Sequence, residues 1–263
     1  MKLPTVSVVV LNHNYGRYVG EALESARAQE PGDYRLSEIL VIDDGSTDGS
    51  HQVLAQFTGV RVISKPHEGF AGTLNRTVQE ATSDWIAPLD ADDSFMPHKL
   101  RTVAQQLCDP NLLVIQHAEY VVDAEGYPFA EGTHPGGSTS TLLVRTQAAK
   151  DLLPVTNELF FHVFADLGHG VQLSEPLTRY RVHEASMTDR RRPGVWADHM
   201  AGVCEDVAVR LDQLRTDPPL WATADQLGRL SSVYRARAVH HRLEAINQRD
   251  RWSLSPGRKG TAG

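Results

Sequence analysis

The chain has 263 residues, 41% of them hydrophobic and 22% charged, the balance of a globular protein that buries a core rather than of a disordered chain. Its formal charge of −7 is segregated, because from Trp221 on eight Lys/Arg stand against three Asp/Glu, a tail of +5 that leaves −12 for residues 1–220. A body that acidic excludes general nucleic-acid binding, which needs clustered cations against phosphates, and two cysteines outside any CxxC pair, Cys108 and Cys204, exclude a disulfide framework or a zinc cluster and read as buried thiols.

Short β-branched runs alternate with helical periodicity over the first 120 residues, which predicts a parallel sheet covered by helices on both faces. Val6–Val10 is the first strand, followed by a helix over Tyr18–Ala28 with Val19, Leu23 and Ala26 on one face. Glu38–Ile42 is the second strand, Asp48–Phe57 a short helix, Val60–Ile63 the third strand, Gly69–Ala81 a helix and Trp85–Leu89 the fourth strand. A helix then runs from Pro97 to about Leu107, followed by a strand at LLVIQ, a hairpin around DAEGYP and a loop, GTHPGGSTST. Helices are expected over Thr146–Leu152 and Asn157–Leu167, with a short strand near VQL. From Trp196 two long helices follow, broken by DPP at 217–219 and ending in a frayed SPGRKGTAG. The face Val203, Val207, Leu211 and Leu214 reads as packing within its own domain, and oligomeric state stays open.

Parallel strands end on one rim, and ligands bind outside those ends. The first strand ends in Asn12, His13 and Asn14, the second in Asp43 and Asp44, and the fourth in LDADD with Asp90, Asp92 and Asp93. Five carboxylates on one rim repel, and a hard divalent cation with oxygen ligands is a natural compensation. An alternating DxD holds Mg²⁺ or Mn²⁺ while a diphosphate supplies further oxygens. The plainer alternatives are that Asp93 or Ser94 caps the helix near Pro97, and that Asp48 of GSTDGS caps the helix it precedes.

VSVVVLNHNYGRYVGEALESARAQ, ILVIDDGSTDGS, LDADD and EPLTRYRVH, in that order over about residues 5–190, resemble the family 2 glycosyltransferases of the A-type fold. The resemblance implies an α/β, Rossmann-like nucleotide-diphospho-sugar transferase domain with a mostly parallel central sheet flanked by helices. That domain would cover 1–190, a nucleotide-binding half to about 107 and an acceptor half from about 108. A helical extension over 191–252 and a flexible tail over 253–263 would follow. It further implies that Asn12, Asn14, Asp43, Asp44, Asn75, Asp90 and Asp92 contact the donor, with Asp44 on the base and Asp90 on the ribose or sugar. Asp92 and the YRxH histidine, His183, would hold Mn²⁺ or Mg²⁺. The donor would be a nucleoside diphosphate sugar, UDP first and dTDP second, and the acceptor a hydroxyl on a glycan, a lipid-linked saccharide or a small molecule, in bacterial polysaccharide or glycoconjugate synthesis.

The match has departures. Leu11 and Asn12 replace the usual proline after the first strand, Leu74 replaces an arginine before Asn75, and the usual acidic pair before YRxH is Asn157–Glu158. Glu158 is then the general base of an inverting transfer, with Asp166 as runner-up; Glu in a first helical turn is also favourable with the helix dipole. A non-catalytic nucleotide-sugar-binding protein of the same fold stands as the alternative. A sugar-phosphate nucleotidyltransferase fits less well, because NHNYGRY is no basic, Gly-rich phosphate loop, and a nicotinamide dehydrogenase would need GxGxxG at that place, where it is absent. No apolar run reaches the roughly 18 residues of a membrane span, and MKLPTVSVVVLNHN has no cleavage pattern, so the expectation is a cytoplasmic protein. Its basic tail reads as a solvated helix face, with peripheral contact at the inner face of the membrane left open.

Overall fold

The β-branched runs of the amino-terminal half form a parallel sheet in the order β3–β2–β1–β4, seen in a computed structural model that describes residues 2–184 and 193–253. The strands are β1 (Thr5–Asn12), β2 (Arg35–Asp43), β3 (Arg61–Ser64) and β4 (Trp85–Asp90). Every residue of β1 is buried, as a central strand with helices on both faces requires. The edge strand β3 departs from that expectation and is largely exposed, because it has a sheet neighbour on one side only. The register aligns Asn12 with Asp43, Asp43 with Ser64 and Leu11 with Asp90. The polar strand ends therefore meet on one rim.

Helices α1 (Val19–Arg27), α2 (Ser50–Leu54) and α3 (Gly69–Glu80) join these strands. Helix α1 buries Val19, Ala22, Leu23 and Ala26, the face its spacing predicts. Helix α2 is shorter than the predicted Asp48–Phe57. Asp48 accepts from the Ser50 amide at 2.9 Å at its start, and from the Gly16 amide at 2.8 Å, so it ties this turn to the loop after β1.

The second half extends the sheet with strands of mixed direction. Beyond β4 come β8 (Leu142–Arg145), antiparallel to it, then β6 (Val114–Val122), β9 (Gly170–Arg181) and the two-residue β5 (Ser94–Phe95), with β7 (Pro128–His134) on β6. β8 and β5 were not expected: β8 follows the 3₁₀ turn Thr139–Thr141 that ends the Gly/Ser/Thr loop, and two residues carry no periodicity. β9 runs far past VQL, through Pro176, where its register on β6 shifts at Ala118 and absorbs a residue that cannot donate to the ladder. Helices α4 (Lys99–Leu107) and α5 (Thr146–Leu152) lie near their predicted positions. The predicted Asn157–Leu167 helix is a 3₁₀ turn, Glu158–Phe161, followed by α6 (His162–Asp166). The core gathers Val8, Val10, Leu23, Val41, Leu89, Leu100 and the fully buried Trp85, whose indole N–H donates to the Leu107 carbonyl at 3.1 Å.

The chain divides into compact units at 1–183 and 184–263. In the second, α7 (Val195–Leu214) packs along α8 (Ala224–Ser253), and Val203, Val207, Leu211 and Leu214 are buried as their spacing predicts. Arg235, Arg242 and Arg249 of α8 pair with Asp212, Glu205 and Asp198 of α7, an ion-pair ladder stepping seven residues on each helix. Exposed pairs of this kind add little to stability. Their larger effect here is to neutralise much of the basic tail. Cys204 is buried as expected, whereas Cys108, at the carboxyl end of α4, is exposed. No helix among the described residues is long and apolar enough to cross a membrane, and the SPGRKGTAG end lies outside those residues.

Gly45, between β2 and α2, has φ +69° and a Cβ there would stand 2.9 Å from the His67 amide nitrogen. Gly45→Ala is expected to lower stability by about 1–3 kcal/mol, read from the urea unfolding midpoint, because strain and backbone overlap act together.

Candidate active site

The carboxylates at the rim differ in how the protein engages them. Asp43 is fully buried; it accepts from Asn12 Nδ2 at 2.7 Å and lies 3.1 Å from His51 Nε2. Asn12 also donates to Ser46 Oγ at 3.0 Å, so the pair joins the first two strand ends beneath the surface. Asn14, exposed and at φ 59°, donates its backbone amide to Ser46 Oγ at 2.9 Å and accepts the Thr47 amide on its side-chain oxygen at 2.7 Å. An Asn tolerates that left-handed turn.

Asp44 accepts from the Lys65 ammonium and from the amides of Glu68 (2.9 Å) and Gly69 (2.8 Å) at the start of α3, and its other contact is His67 Nδ1 at 2.9 Å. Burial alone would push its carboxyl up, but Lys65 and the two amides outweigh that and hold it below the usual carboxylate range. His13 and His67 stack at 4.1 Å over this carboxylate, and His13, Asp44 and His67 can bring one ligand atom each within 4.8 Å of one another. The Lys65 charge on the same carboxylate opposes a cation there.

Asp93 turns inward. Its Oδ2 accepts from Ser140 Oγ at 2.6 Å and its Oδ1 from the Arg181 amide at 2.9 Å. The helix-capping reading of Asp93 or Ser94 does not hold, since α4 begins after His98 with no side-chain cap. Ser140 also accepts from the Asp90 amide at 3.0 Å, and its carbonyl takes the ammonium of Lys99 (2.7 Å) and the hydroxyl of Thr178 (2.9 Å). Lys99 is fully buried over the Phe95 ring, and burial pulls its pKa well below the usual value. Arg181 donates from Nε to the Asp92 carbonyl (2.8 Å) and from its terminal nitrogens to Ala124 O (3.0 Å) and Glu21 Oε2 (2.6 Å).

Asp90 and Asp92 remain at the rim. Asp92 Oδ2 lies 3.0 Å from His183 Nε2, with their side chains 12% and 7% exposed, so residues 91 positions apart are brought into contact. The Tyr15 hydroxyl bonds Asp92, and its ring meets the His183 ring edge-on at 5.7 Å. Burial, then the neighbouring Asp92, push the carboxyls of both Asp90 and Asp93 well above the usual range. Burial and the same acidic group raise the Tyr15 phenol.

Glu158 opens the 3₁₀ turn Glu158–Phe161. Asn157 caps its 3₁₀ turn by accepting the Leu159 amide at 2.9 Å. Asn75 does not face the rim freely: its amide donates to Val155 O at 2.7 Å and accepts the Val155 amide at 3.0 Å, which fastens α3 to the segment leading into Glu158. Burial raises the Glu158 carboxyl to about 7, and its charge is felt at Asp90. Asp166, at the end of α6, is exposed.

The structure thus brings together Asp90, Asp92, His183 and Glu158, and uses Asn12, Asp43 and Asn75 to hold the segments beneath them. Sequence reasoning missed Tyr15, Lys65, Lys99 and Ser140. Tyr15 stood inside a quoted motif and Ser140 inside a suspect loop, but nothing local assigns them a partner; Lys65 and Lys99 read as ordinary surface lysines.

This rim, on a sheet of this order, defines a nucleotide-binding α/β transferase fold. Glycosyl transferase family 2 matches the chain over residues 7–164, and the chain belongs to that family. A relative from Nostoc sp., described as an uncharacterized glycosyltransferase, is 27% identical over 215 residues, covering 69% of this chain and 66% of the relative, a little under two thirds of its length. Among solved structures, residues 1–349 of S. aureus TarS in complex with UDP-GlcNAc superpose with a TM-score of 0.65 at 18% identity, covering 97% of this chain and 77% of that one. The mannosyltransferase PcManGT from Pyrobaculum calidifontis, in complex with GDP-Man and Mn²⁺, gives 0.58 at 14% identity, covering 97% and 82%. At those identities the likeness is one of fold.

Asn75→Ala removes both bonds to Val155 and is expected to cost about 1–3 kcal/mol. Hydrogen exchange at the Val155 amide should accelerate, which distinguishes loss of this clamp from general softening.

Proposed function

We propose that the chain transfers a sugar from a nucleoside diphosphate sugar to an acceptor hydroxyl with inversion at the anomeric carbon. The observation that carries the reading is the Asp92–His183 contact at 3.0 Å, with a carboxylic acid, Glu158, raised to about 7 and close enough to Asp90 for its charge to be felt there. In this reading the acceptor oxygen attacks the anomeric carbon from the face opposite the diphosphate. Glu158 takes the hydroxyl proton as the new C–O bond forms, and the bond from that carbon to the diphosphate oxygen breaks. A base with a pKa near the working pH suits that transfer, contributing about 10²- to 10⁴-fold.

The donor set at Asp92 and His183, one carboxylate oxygen and one imidazole nitrogen within reach of each other and largely shielded from water, fits Mn²⁺ or Mg²⁺, with the imidazole favouring Mn²⁺. A bound divalent ion would supply positive charge to the departing diphosphate. In this reading Asp90 would bond the ribose or sugar and Asp44 the base, with Asn14 a further donor contact. A UDP-sugar is the first candidate, in keeping with the UDP-GlcNAc bound by the TarS neighbour; a dTDP-sugar is the second. The acceptor would be a saccharide in bacterial polysaccharide or glycoconjugate synthesis.

Calorimetric titration with UDP, dTDP and GDP, with and without Mn²⁺, tests the site. UDP should bind in a Mn²⁺-dependent way, with the dependence lost in Asp92→Asn and weakened in His183→Ala; binding indifferent to the ion would sink the assignment. The kcat/KM of transfer, or of donor hydrolysis, should rise with pH on an acid limb centred at about 7, since the carboxylate form of Glu158 is the base and is lost as pH falls below that value. Glu158→Gln should remove the limb and lower the rate by about 10²- to 10⁴-fold while leaving UDP affinity unchanged. Unaltered turnover in that variant assigns the base elsewhere, and absence of turnover with every donor favours a non-catalytic nucleotide-sugar-binding protein.

A further inference from the structure

Two aromatic side chains near the site stand in solvent without an explanation in the core: Tyr127 is 70% and Phe129 49% exposed. Both lie on the β6–β7 hairpin, whose turn is closed by its own bonds. Asp123 Oδ1 accepts from the amides of Glu125 (3.1 Å) and Tyr127 (2.8 Å), and the Asp123 amide donates to Tyr127 O at 2.9 Å. Gly126 turns at φ +89° against the Arg181 guanidinium, where a Cβ would stand 3.3 Å from one of its nitrogens.

That guanidinium donates both to Ala124 O in the turn (3.0 Å) and to Asp92 O in the DxD loop (2.8 Å). One side chain therefore spans from the hairpin tip to the DxD loop. Glu125, two residues before Tyr127 in this turn, pairs with Arg17 at 3.2 Å, both side chains more than half exposed, and the Arg17 guanidinium lies over the Tyr18 ring at 5.0 Å.

We propose that Tyr127 and Phe129, with the Arg17–Glu125 pair at the same turn, form an acceptor platform for a saccharide. This rests on the sugar-transfer reading above. Pyranose rings present a C–H face that packs on an aromatic ring and a rim of hydroxyls that bond to guanidinium and carboxylate groups, which is the mixture this hairpin displays. Rigid aromatic anchors held by a fixed turn lose little conformational entropy on binding. The fixed turn also suits a role in holding an extended acceptor while its terminal hydroxyl reaches Glu158.

The test uses the full chain, a Tyr127→Ala/Phe129→Ala double variant and a Tyr127→Trp variant, with a printed array of bacterial surface oligosaccharides as probe and hydrolysis of UDP-sugars without acceptor as a second readout. The wild type should retain one or more saccharides, the double variant should retain them about tenfold less strongly, and Tyr127→Trp should keep retention. Donor hydrolysis should be unchanged in all three, since these side chains lie outside the donor machinery. No retention by the wild type, or equal retention by the double variant, overturns the platform. Aromatic-dependent retention in a chain that hydrolyses no donor would instead overturn the transfer reading and leave the platform standing.

Discussion

The structure depends on how negative charge is accommodated where parallel strands end. Five aspartates reach that rim, and neighbouring carboxylates raise one another's cost of ionisation steeply when water is excluded. The protein answers with donors. Asn12 holds Asp43; Lys65 and the amides at the start of α3 hold Asp44; Ser140 and the Arg181 amide hold Asp93. These bonds do more than compensate charge, because each joins segments far apart in the chain and so fixes the loops from which Asp90, Asp92 and His183 project.

Ser140 and Arg181 are the two junctions through which this is achieved. Ser140 gathers the DxD loop, α4 and β9 at one residue, and Arg181 gathers the DxD loop, α1 and the hairpin turn. The buried Lys99 beneath them is a costly group to enclose, and its carbonyl partner and the nearby Asp93 charge are what make it tolerable. A lattice of this kind specifies geometry more than it adds stability, which suits a site whose side chains must be held in one orientation.

Membership of glycosyl transferase family 2 accounts for the parallel half and its motifs. The second unit, 184–263, lies beyond the matched residues 7–164. Within it, the ion-pair ladder between α7 and α8 neutralises arginines that composition alone presents as a basic patch. The charge asymmetry of the sequence is therefore much smaller on the folded surface of those helices.

Sequence alone determined the alternation of β1 to β4 with α1 to α3, because central strands and amphipathic helices write their burial into short-range periodicity. Its motifs, taken in order, also pointed to Asp92 and His183, which the fold brings into contact. It could not locate β8 or β5, which are short and defined by partners distant in sequence, nor separate the aspartates that the protein engages from those it leaves at the cleft. Asn75 illustrates the reason: as a residue type it suits a ligand, but its amide donates to Ala71 O one turn back and is engaged on both its nitrogen and its oxygen by Val155, which comes from 80 positions away. Periodicity is a local property of the chain, whereas the satisfaction of a buried polar group depends on whatever the fold brings next to it.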